Sequence, residues 1–339
     1  MRSIIYHQYG EPAEVLQATE APELPPPGVG EVLIRVDSRA IHPGDLLGIR
    51  GRYRAPGNSS PVGPEGARPG FEGMGVIIAT GPGTEAARDL VPGARVAFFP
   101  ARWAWSDMVL APARYVTRVP DDVPDQAAAQ LHVAPLTAAL LLRAVQAAGA
   151  IAGDVIALSA AGGLVARLTA VLLQERGYRP LGIVRSADAL PLLAAQLPGM
   201  QWISTDQADW ARRAAALAPG RSIKVALDPV GGQVASALAA LLADGGTLVS
   251  YGDLSGQPIV IPALAFSTRD ISIKGISVGR WAGTSDAARA ADIEVALHLA
   301  RTAPAAFAAA AEYSLGDVTL AVAHAERPGK HGTVLLRRT

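Results

Sequence analysis

The 339-residue chain carries 30 basic and 30 acidic side chains, so its formal net charge is zero, and half of its residues are apolar. That length favours two domains over a single core. The charge balance excludes a broad basic surface, so no nucleic-acid partner is expected, and the absence of cysteine excludes disulfides and every thiolate metal site.

The opening run MRSIIYHQYGEP turns polar too soon to read as a signal peptide. The most apolar stretch, around 127–142, holds His132 and Pro135 and ends at Arg143, which makes it a buried helix rather than a membrane span. A soluble cytoplasmic protein with no membrane partner is the expectation.

Residues 1–122 read as β-rich. Apolar runs at Val32–Val36, Val76–Ala79 and Arg95–Phe99 lie between Gly/Pro punctuation, a pattern of short strands in a small irregular barrel. Between them stands Ile41-His42-Pro43-Gly44-Asp45, followed by Gly48-Ile49-Arg50-Gly51-Arg52-Tyr53. Pro43 suits the first turn of a short helix, Gly51 suits its end, and Tyr53 then falls on the loop beyond. Residues 54–70, rich in Pro, Gly and Ser, read as a loop over a site.

From about 123 the pattern changes. Asp125 to Ala148 reads as one long Ala/Leu helix. Residues 153–186 then read as strand (Val155–Leu158), small-residue corner (Ser159–Gly163), helix (Leu164–Arg176), glycine cap (Gly177) and strand (Leu181–Val184), a βαβ unit. Further strands are expected at Met200–Ser204, Lys224–Asp228, Gly246–Tyr251 and Asp270–Gly275. With helical segments between most of them, they make an open parallel sheet covered on both faces. Ala305–Ala311 reads as an alanine-rich helix, and the stretch 299–339, ending in Thr333–Leu336, is expected to return to the first domain. The domain limits are therefore 1–122, 123–298 and 299–339.

The corner carries the chemistry. A helix that starts directly after a strand presents unpaired N–H groups at its positive end, and small residues there let a pyrophosphate approach the backbone. Gly162, Gly163, Leu164 and Val165 form this candidate phosphate site. The G-x-G-x-x-G spacing is absent, and two glycines would equally serve to turn the chain. Where an NAD site places an acidic residue, Val184-Arg185-Ser186 stand here. A guanidinium suits a 2′-phosphate, so NADP (NADPH) is favoured, the other reading of Arg185 being a solvated loop residue. Asp188 fits the first turn of the next helix.

The landmarks Gly70-Phe71-Glu72-Gly73-Met74-Gly75, Pro135-Leu136-Thr137-Ala138, the corner, and Leu227-Asp228-Pro229-Val230-Gly231-Gly232 occur in an order that resembles the medium-chain dehydrogenase/reductase superfamily over essentially the whole chain. The resemblance implies an α/β fold with a GroES-like β-rich catalytic domain and a Rossmann cofactor domain, its parallel sheet doubly wound. Zinc-dependent members carry Gly-His-Glu where Gly70-Phe71-Glu72 stands, and phenylalanine cannot bind a metal, so no catalytic zinc is expected. Within the superfamily, His42–Asp45 with Gly48–Tyr53, and Gly246–Gly252 with Asp270–Gly275 and Arg280-Trp281, resemble the mitochondrial-type 2-enoyl thioester reductases. Three features depart from that pattern: His42 replaces an asparagine, the corner lacks Gly-Val-Gly, and Lys330 is out of register.

This resemblance implies NADPH-dependent reduction of a trans-2-enoyl thioester carried by coenzyme A or an acyl carrier. Tyr53 takes the place of the catalytic tyrosine, though by itself it would read as a loop residue pointing to water. His42 and Thr137 are placed near the nicotinamide, Thr137 alternatively bonding a preceding carbonyl in its helix. Trp281 lines the acyl pocket or fills a core, and Tyr251 and Gly252 close a strand at the ligand-facing edge or simply pack. Arg50, Arg52 and Arg54 meet carrier phosphates or form a solvated face. A zinc-free NADPH:quinone oxidoreductase is the alternative, and a non-catalytic nucleotide-binding protein of the same fold is the second alternative. Asp270–Ile276 reads as an exposed edge strand, and with the resemblance it implies a homodimer.

Overall fold

The computed structural model describes residues 1–53, 62–84, 89–218 and 223–338. They form two compact units, Met1–Val133 with Ala282–Thr339, and Ala134–Trp281.

The first unit opens with β1 (Arg2–Ile5), α1 (Pro12–Val15), β2 (Gln17–Glu20), β3 (Glu31–Ala40) and α2 (Pro43–Ile49). β4 (Gly73–Thr80), β5 (Arg95–Phe98), β6 (Met108–Pro112) and β7 (Val116–Arg118) follow. α2 begins on Pro43, whose fixed φ suits the first turn, and the chain leaves it through Gly51 at φ +73°. The single helix expected over Asp125–Ala148 is in fact two, α3 (Asp125–Ala128) and α4 (Val133–Ala147). The break has a cause: the N–H groups of His132 and Val133 bond the Glu72 carboxylate (3.1 and 2.7 Å) instead of carbonyls one turn back.

The second unit holds β8 (Val155–Leu158), α5 (Leu164–Glu175), β9 (Arg179–Val184), α6 (Leu190–Gln196), β10 (Gln201–Ser204), α7 (Trp210–Ala216) and β11 (Ile223–Asp228). It ends with α8 (Gly232–Leu241), β12 (Leu242–Ser250), α9 (Ala263–Arg269) and β13 (Ser272–Gly275). The strands run in the order β10-β9-β8-β11-β12-β13, all parallel. β8 is buried at every residue, the uninterrupted apolar pattern that a central parallel strand requires. Its successor β9 lies on one side and β11 on the other, so the strand order reverses between β8 and β11. In open parallel sheets ligands bind at the carboxyl ends of such strands.

The chain then returns to the first unit through α10 (Asp286–Thr302), β14 (Ala309–Ser314), α11 (Val318–Ala325) and β15 (Thr333–Arg337). β15 pairs antiparallel with β3, and β14 pairs parallel with β15. This completes a sheet ordered β14-β15-β3-β4-β5-β7, with β6 on β3. Ala305–Ala311 is therefore not a helix. A short helical turn over Pro304–Phe307 leads into β14, because ladder bonds to β15 override the high helix propensity of alanine, which tertiary context can outweigh. Residues 123–133 and 282–298 also lie in this unit; Arg95 grips Asp125 at 2.6 Å, and Gln130 Nε2 donates to the Phe307 carbonyl at 2.8 Å.

Two apolar clusters build the first unit, one around Ile4, Leu46, Ile49, Trp105 and Val322, the other around Ile34, Val36, Ile77 and Phe98. The second unit packs around Val155, Leu181, Ile183, Ala226 and Leu248. Among the described residues, no helix is long and apolar enough to cross a membrane.

The glycines of the Gly70–Gly75 landmark are there for backbone contact. A Cβ built on Gly75 would lie 1.9 Å from the Arg35 carbonyl oxygen on the facing strand. Gly75→Ala is therefore expected to part β3 from β4 and cost about 3 kcal/mol. A urea transition with the wild-type midpoint would refute the contact.

Candidate functional site

In the first unit, four buried or nearly buried polar residues gather where α2, the segment before β4 and the segment before α4 meet. Glu72, His132 and Asp45 are each 2% exposed or less. His42, the residue that precedes Pro43, places Nε2 at 2.5 Å from Glu72 Oε1. The other oxygen of Glu72 accepts the His132 and Val133 N–H groups. His42 N–H donates to Asp45 Oδ2 at 2.9 Å, and His132 Nε2 meets Thr117 Oγ1 at 2.9 Å. Buried charge survives only where donors replace lost water, and Glu72 has three.

Burial acts on each member in its own direction. It pulls the His132 imidazole down to about 4, with the Glu72 charge opposing in part. It lifts the Asp45 carboxyl to about 6 against the charge and N–H of His42. Burial also works against protonated His42, but the charge and hydrogen bond of Glu72, with Asp45 adding, outweigh it and hold His42 above the ordinary histidine value.

Tyr53 lies just past α2 and is 67% exposed. Gly44 and Gly48, one turn apart on that helix, form the surface it lies against. A Cβ on Gly44 would be 3.4 Å from the Tyr53 hydroxyl, and one on Gly48 would be 3.9 Å from its ring. The arginine cluster fares differently. Arg50 is committed to Glu11 (2.5 Å) and Glu326 (2.8 Å), so its guanidinium is spent on tying α2 to its neighbours rather than held out for a phosphate. Arg52 is exposed, and Arg54 lies outside the described residues, as does much of the 54–70 loop.

In the second unit the corner takes the shape that small residues permit. Ala160 adopts φ +46°, and Gly162 and Gly163 are exposed. The α5 ladder begins with Arg167 N–H on the Gly163 carbonyl (3.0 Å), which leaves the N–H groups of Leu164 and Val165 ahead of it at the positive helix end. Arg185 is exposed directly after β9, and Asp188 N–H bonds Ser186 Oγ at the start of the next turn.

At the strand-order reversal, Ser159 Oγ donates to Asp228 Oδ1, with neither residue exposed. Asp228 Oδ2 also accepts the Val230 and Gly231 N–H groups (3.1 and 2.7 Å), which shapes the loop after β11. Burial nevertheless raises the Asp228 carboxyl above its ordinary value. Tyr251 N–H bonds the Asp228 carbonyl at 3.0 Å. Burial, with Asp228 adding, holds the Tyr251 phenol well above its usual range. Gly252 packs against Pro229, where a Cβ would come 2.8 Å from the carbonyl oxygen. Thr137 is buried within α4, and Trp281 is 2% exposed at the end of this unit.

The structure thus gathers His42 and Tyr53 about α2, and separately Gly162, Gly163, Leu164, Val165, Tyr251 and Gly252 about the carboxyl ends of the second unit's strands. Sequence reasoning left Glu72, Asp45, His132, Ser159 and Asp228 without roles. A signal existed: His132 interrupts the most apolar stretch of the chain, and Asp228 ends an apolar strand, and a buried polar group in such a place requires a partner. Among the described residues, no group of three or more His, Asp or Glu side chains is arranged to hold a metal ion.

A family model described as an alcohol dehydrogenase GroES-like domain matches residues 28–121, and one described as a zinc-binding dehydrogenase matches residues 165–293. The mitochondrial enoyl-[acyl-carrier-protein] reductase of Dictyostelium discoideum is 28% identical over 288 residues, spanning 83% of this chain and 78% of that protein. Among solved structures, a putative NADPH:quinone reductase from Bacillus thuringiensis matches with a TM-score of 0.86 at 26% identity, over 100% of this chain and 99% of that one. A mycobacterial protein solved in complex with NADPH matches with a TM-score of 0.83 at 26% identity, over 99% and 100% of the two chains.

His132 supplies a pH test. Its folded value near 4 lies below the unfolded value near 6.5, so the unfolded chain binds the extra proton. Its contribution is constant above about pH 6.5 and is lost as pH falls toward 4, by about 3 kcal/mol at most. Asp45 works oppositely, gaining stability as pH falls through about 6. Relative to wild type, His132→Gln should therefore become steadily more stable in urea melts run from pH 7 down to pH 4. A difference independent of pH would mean that folding leaves the proton affinity of His132 unchanged.

Proposed function

We propose that this chain, a member of the medium-chain dehydrogenase/reductase superfamily, is a zinc-independent, NADPH-dependent reductase of activated carbon–carbon double bonds. Its preferred substrate in this reading is a trans-2-enoyl thioester of coenzyme A or an acyl carrier. The observation that carries the reading is Tyr53 laid along the glycine face of α2, its hydroxyl beside Gly44, within the stretch that resembles the enoyl thioester reductases. The sequence likeness to a mitochondrial enoyl-[acyl-carrier-protein] reductase supports the same substrate class.

The residues present fit a dinucleotide. Gly162 and Gly163 leave the corner open for a pyrophosphate, and the N–H groups of Leu164 and Val165 stand at the positive end of α5 to receive it. Arg185 offers its guanidinium to a 2′-phosphate. His42, Thr137, Tyr251 and Gly252 are the remaining contacts that this reading assigns to the cofactor, and Trp281 is assigned to the acyl pocket. NADPH, when bound, supplies a hydride with its electron pair to the β-carbon of the double bond. Negative charge then develops at the thioester carbonyl oxygen. A phenol, protonated at neutral pH, donates a hydrogen bond to that oxygen and gives its proton to the α-carbon.

A quinone substrate is the second reading, favoured by the match to a putative NADPH:quinone reductase. Assembly belongs to the proposal as well: two copies pair across β13. This strand ends its sheet, is exposed at all four residues, and follows the exposed Leu264 and Phe266. A cytoplasmic location completes the reading.

Tyr53→Phe should lower kcat on crotonyl-coenzyme A by about 10² to 10³ while changing quinone turnover by only a few-fold. Equal rates on the thioester would remove Tyr53 from the mechanism. Arg185→Ala should raise KM for NADPH about tenfold or more and leave KM for NADH where it was; a parallel rise in both would deny the 2′-phosphate contact. Sedimentation as a monomer at micromolar concentration would dispose of the β13 pairing.

A further inference from the structure

Three features stand outside the roles assigned so far: the His42–Glu72 bond, the glycine face of α2, and the burial of Asp45 beside both. They meet on one seven-residue helix. We propose that His42 is a positioning residue for Tyr53: pinned to Glu72 through Nε2, it anchors the helix whose glycine face seats the tyrosine, so that the proton on His42 governs how Tyr53 is held. This inference rests on the reductase reading and deepens it.

Glu72 is fixed from behind by two main-chain N–H groups and is 1% exposed, so it offers a rigid acceptor. His42 joins that acceptor at 2.5 Å, and its main chain is held by Asp45 at 2.9 Å, which leaves the entry to α2 little freedom. In the first turn after that anchor Gly44, and one turn further on Gly48, present no side chains, and Tyr53 lies against them. With its proton in place, His42 adds the attraction of opposite charges to its hydrogen bond with Glu72. Loss of the His42 proton therefore weakens the anchor of the tyrosine's seat.

The titratable groups facing His42 are Glu72 from the segment before β4, Asp45 from α2 itself, and His132, whose N–H shares the Glu72 carboxylate; Tyr53 lies against the same helix. His132 resists protonation down to about pH 4, and Asp45 changes charge near pH 6. Above that, His42 is the member of the cluster left to titrate, and its value is raised by its partners. The sign follows: the anchored form is populated at neutral pH and is lost as pH rises through the folded value of His42.

The test compares wild type, His42→Asn and Glu72→Gln, with near-ultraviolet circular dichroism to confirm that each is folded. On crotonyl-coenzyme A with NADPH, wild-type kcat should fall on the alkaline side as His42 loses its proton. His42→Asn should lower kcat at pH 7 about tenfold, move KM less than threefold, and displace that alkaline limb to higher pH. Glu72→Gln should displace it to lower pH. An unchanged pH profile in folded His42→Asn overturns the proposal.

The second readout needs no turnover. In protein labelled with ¹³C-tyrosine, the Tyr53 ring signal, assigned by its loss in Tyr53→Phe, should report a titration between about pH 6 and pH 9, apart from that of its own phenol near pH 10, that disappears in His42→Asn. A Tyr53 signal indifferent to that substitution also overturns the proposal. If wild type reduces neither thioester nor quinone, the reductase reading fails while this second readout still decides the His42 anchor.

Discussion

Glu72 is a carboxylate removed from water, and a charge so placed persists only when donors stand where solvent would have been. Its two oxygens divide the work. One holds the imidazole of His42, and the other holds the main chain at the start of α4. Much of the first unit's local geometry depends on this arrangement. The helix pattern running from Asp125 is interrupted there, α2 is tied down through His42 just ahead of it, and His132 is kept neutral in an apolar surround. Replacing the zinc-branch histidine by Phe71 leaves the neighbouring acid in place, and the chain uses that acid as a hydrogen-bond hub.

The second unit rests on an analogous device at smaller scale. Asp228 ends β11 beside the point where strand order reverses, and Ser159 directly follows the adjacent β8. The bond between them joins the two strand ends, and the second oxygen of Asp228 sets the turn into α8. The glycine corner after Ser159 and the Tyr251-Gly252 step after β12 are thereby held as rigid edges. A site that must receive a dinucleotide profits from such preorganisation, because ordering costs are met in folding rather than in binding.

The two units divide the chemistry as they divide the sequence. The first contributes acid–base side chains on a short helix and its flanking segments, and the second contributes backbone N–H groups and an arginine at the ends of parallel strands. Neither set contains a group arranged for a metal among the described residues.

Local chemistry made much of this legible from residue order alone. Periodicity and glycine placement determined the βαβ unit, the strands of the parallel sheet and the short helix at Pro43, since each depends on neighbours within a few residues, and the lack of a further βαβ unit pointed the last strand back to the first unit. Alanine-rich 305–311 misled because its high helix propensity was overridden by a partner strand some twenty residues later. The helix from Asp125 misled because its interruption comes from Glu72, more than fifty residues earlier. Tyr53, Gly162, Gly163 and Arg185 were visible as motif positions. The commitment of Arg50 to Glu11 and Glu326, and the joining of His42 with Glu72 and of Ser159 with Asp228, were settled only when the chain closed on itself. Sequence pattern determines which residues form an element; which buried charge meets which donor is decided by tertiary packing, because that pairing is a property of distance in space and not of spacing along the chain.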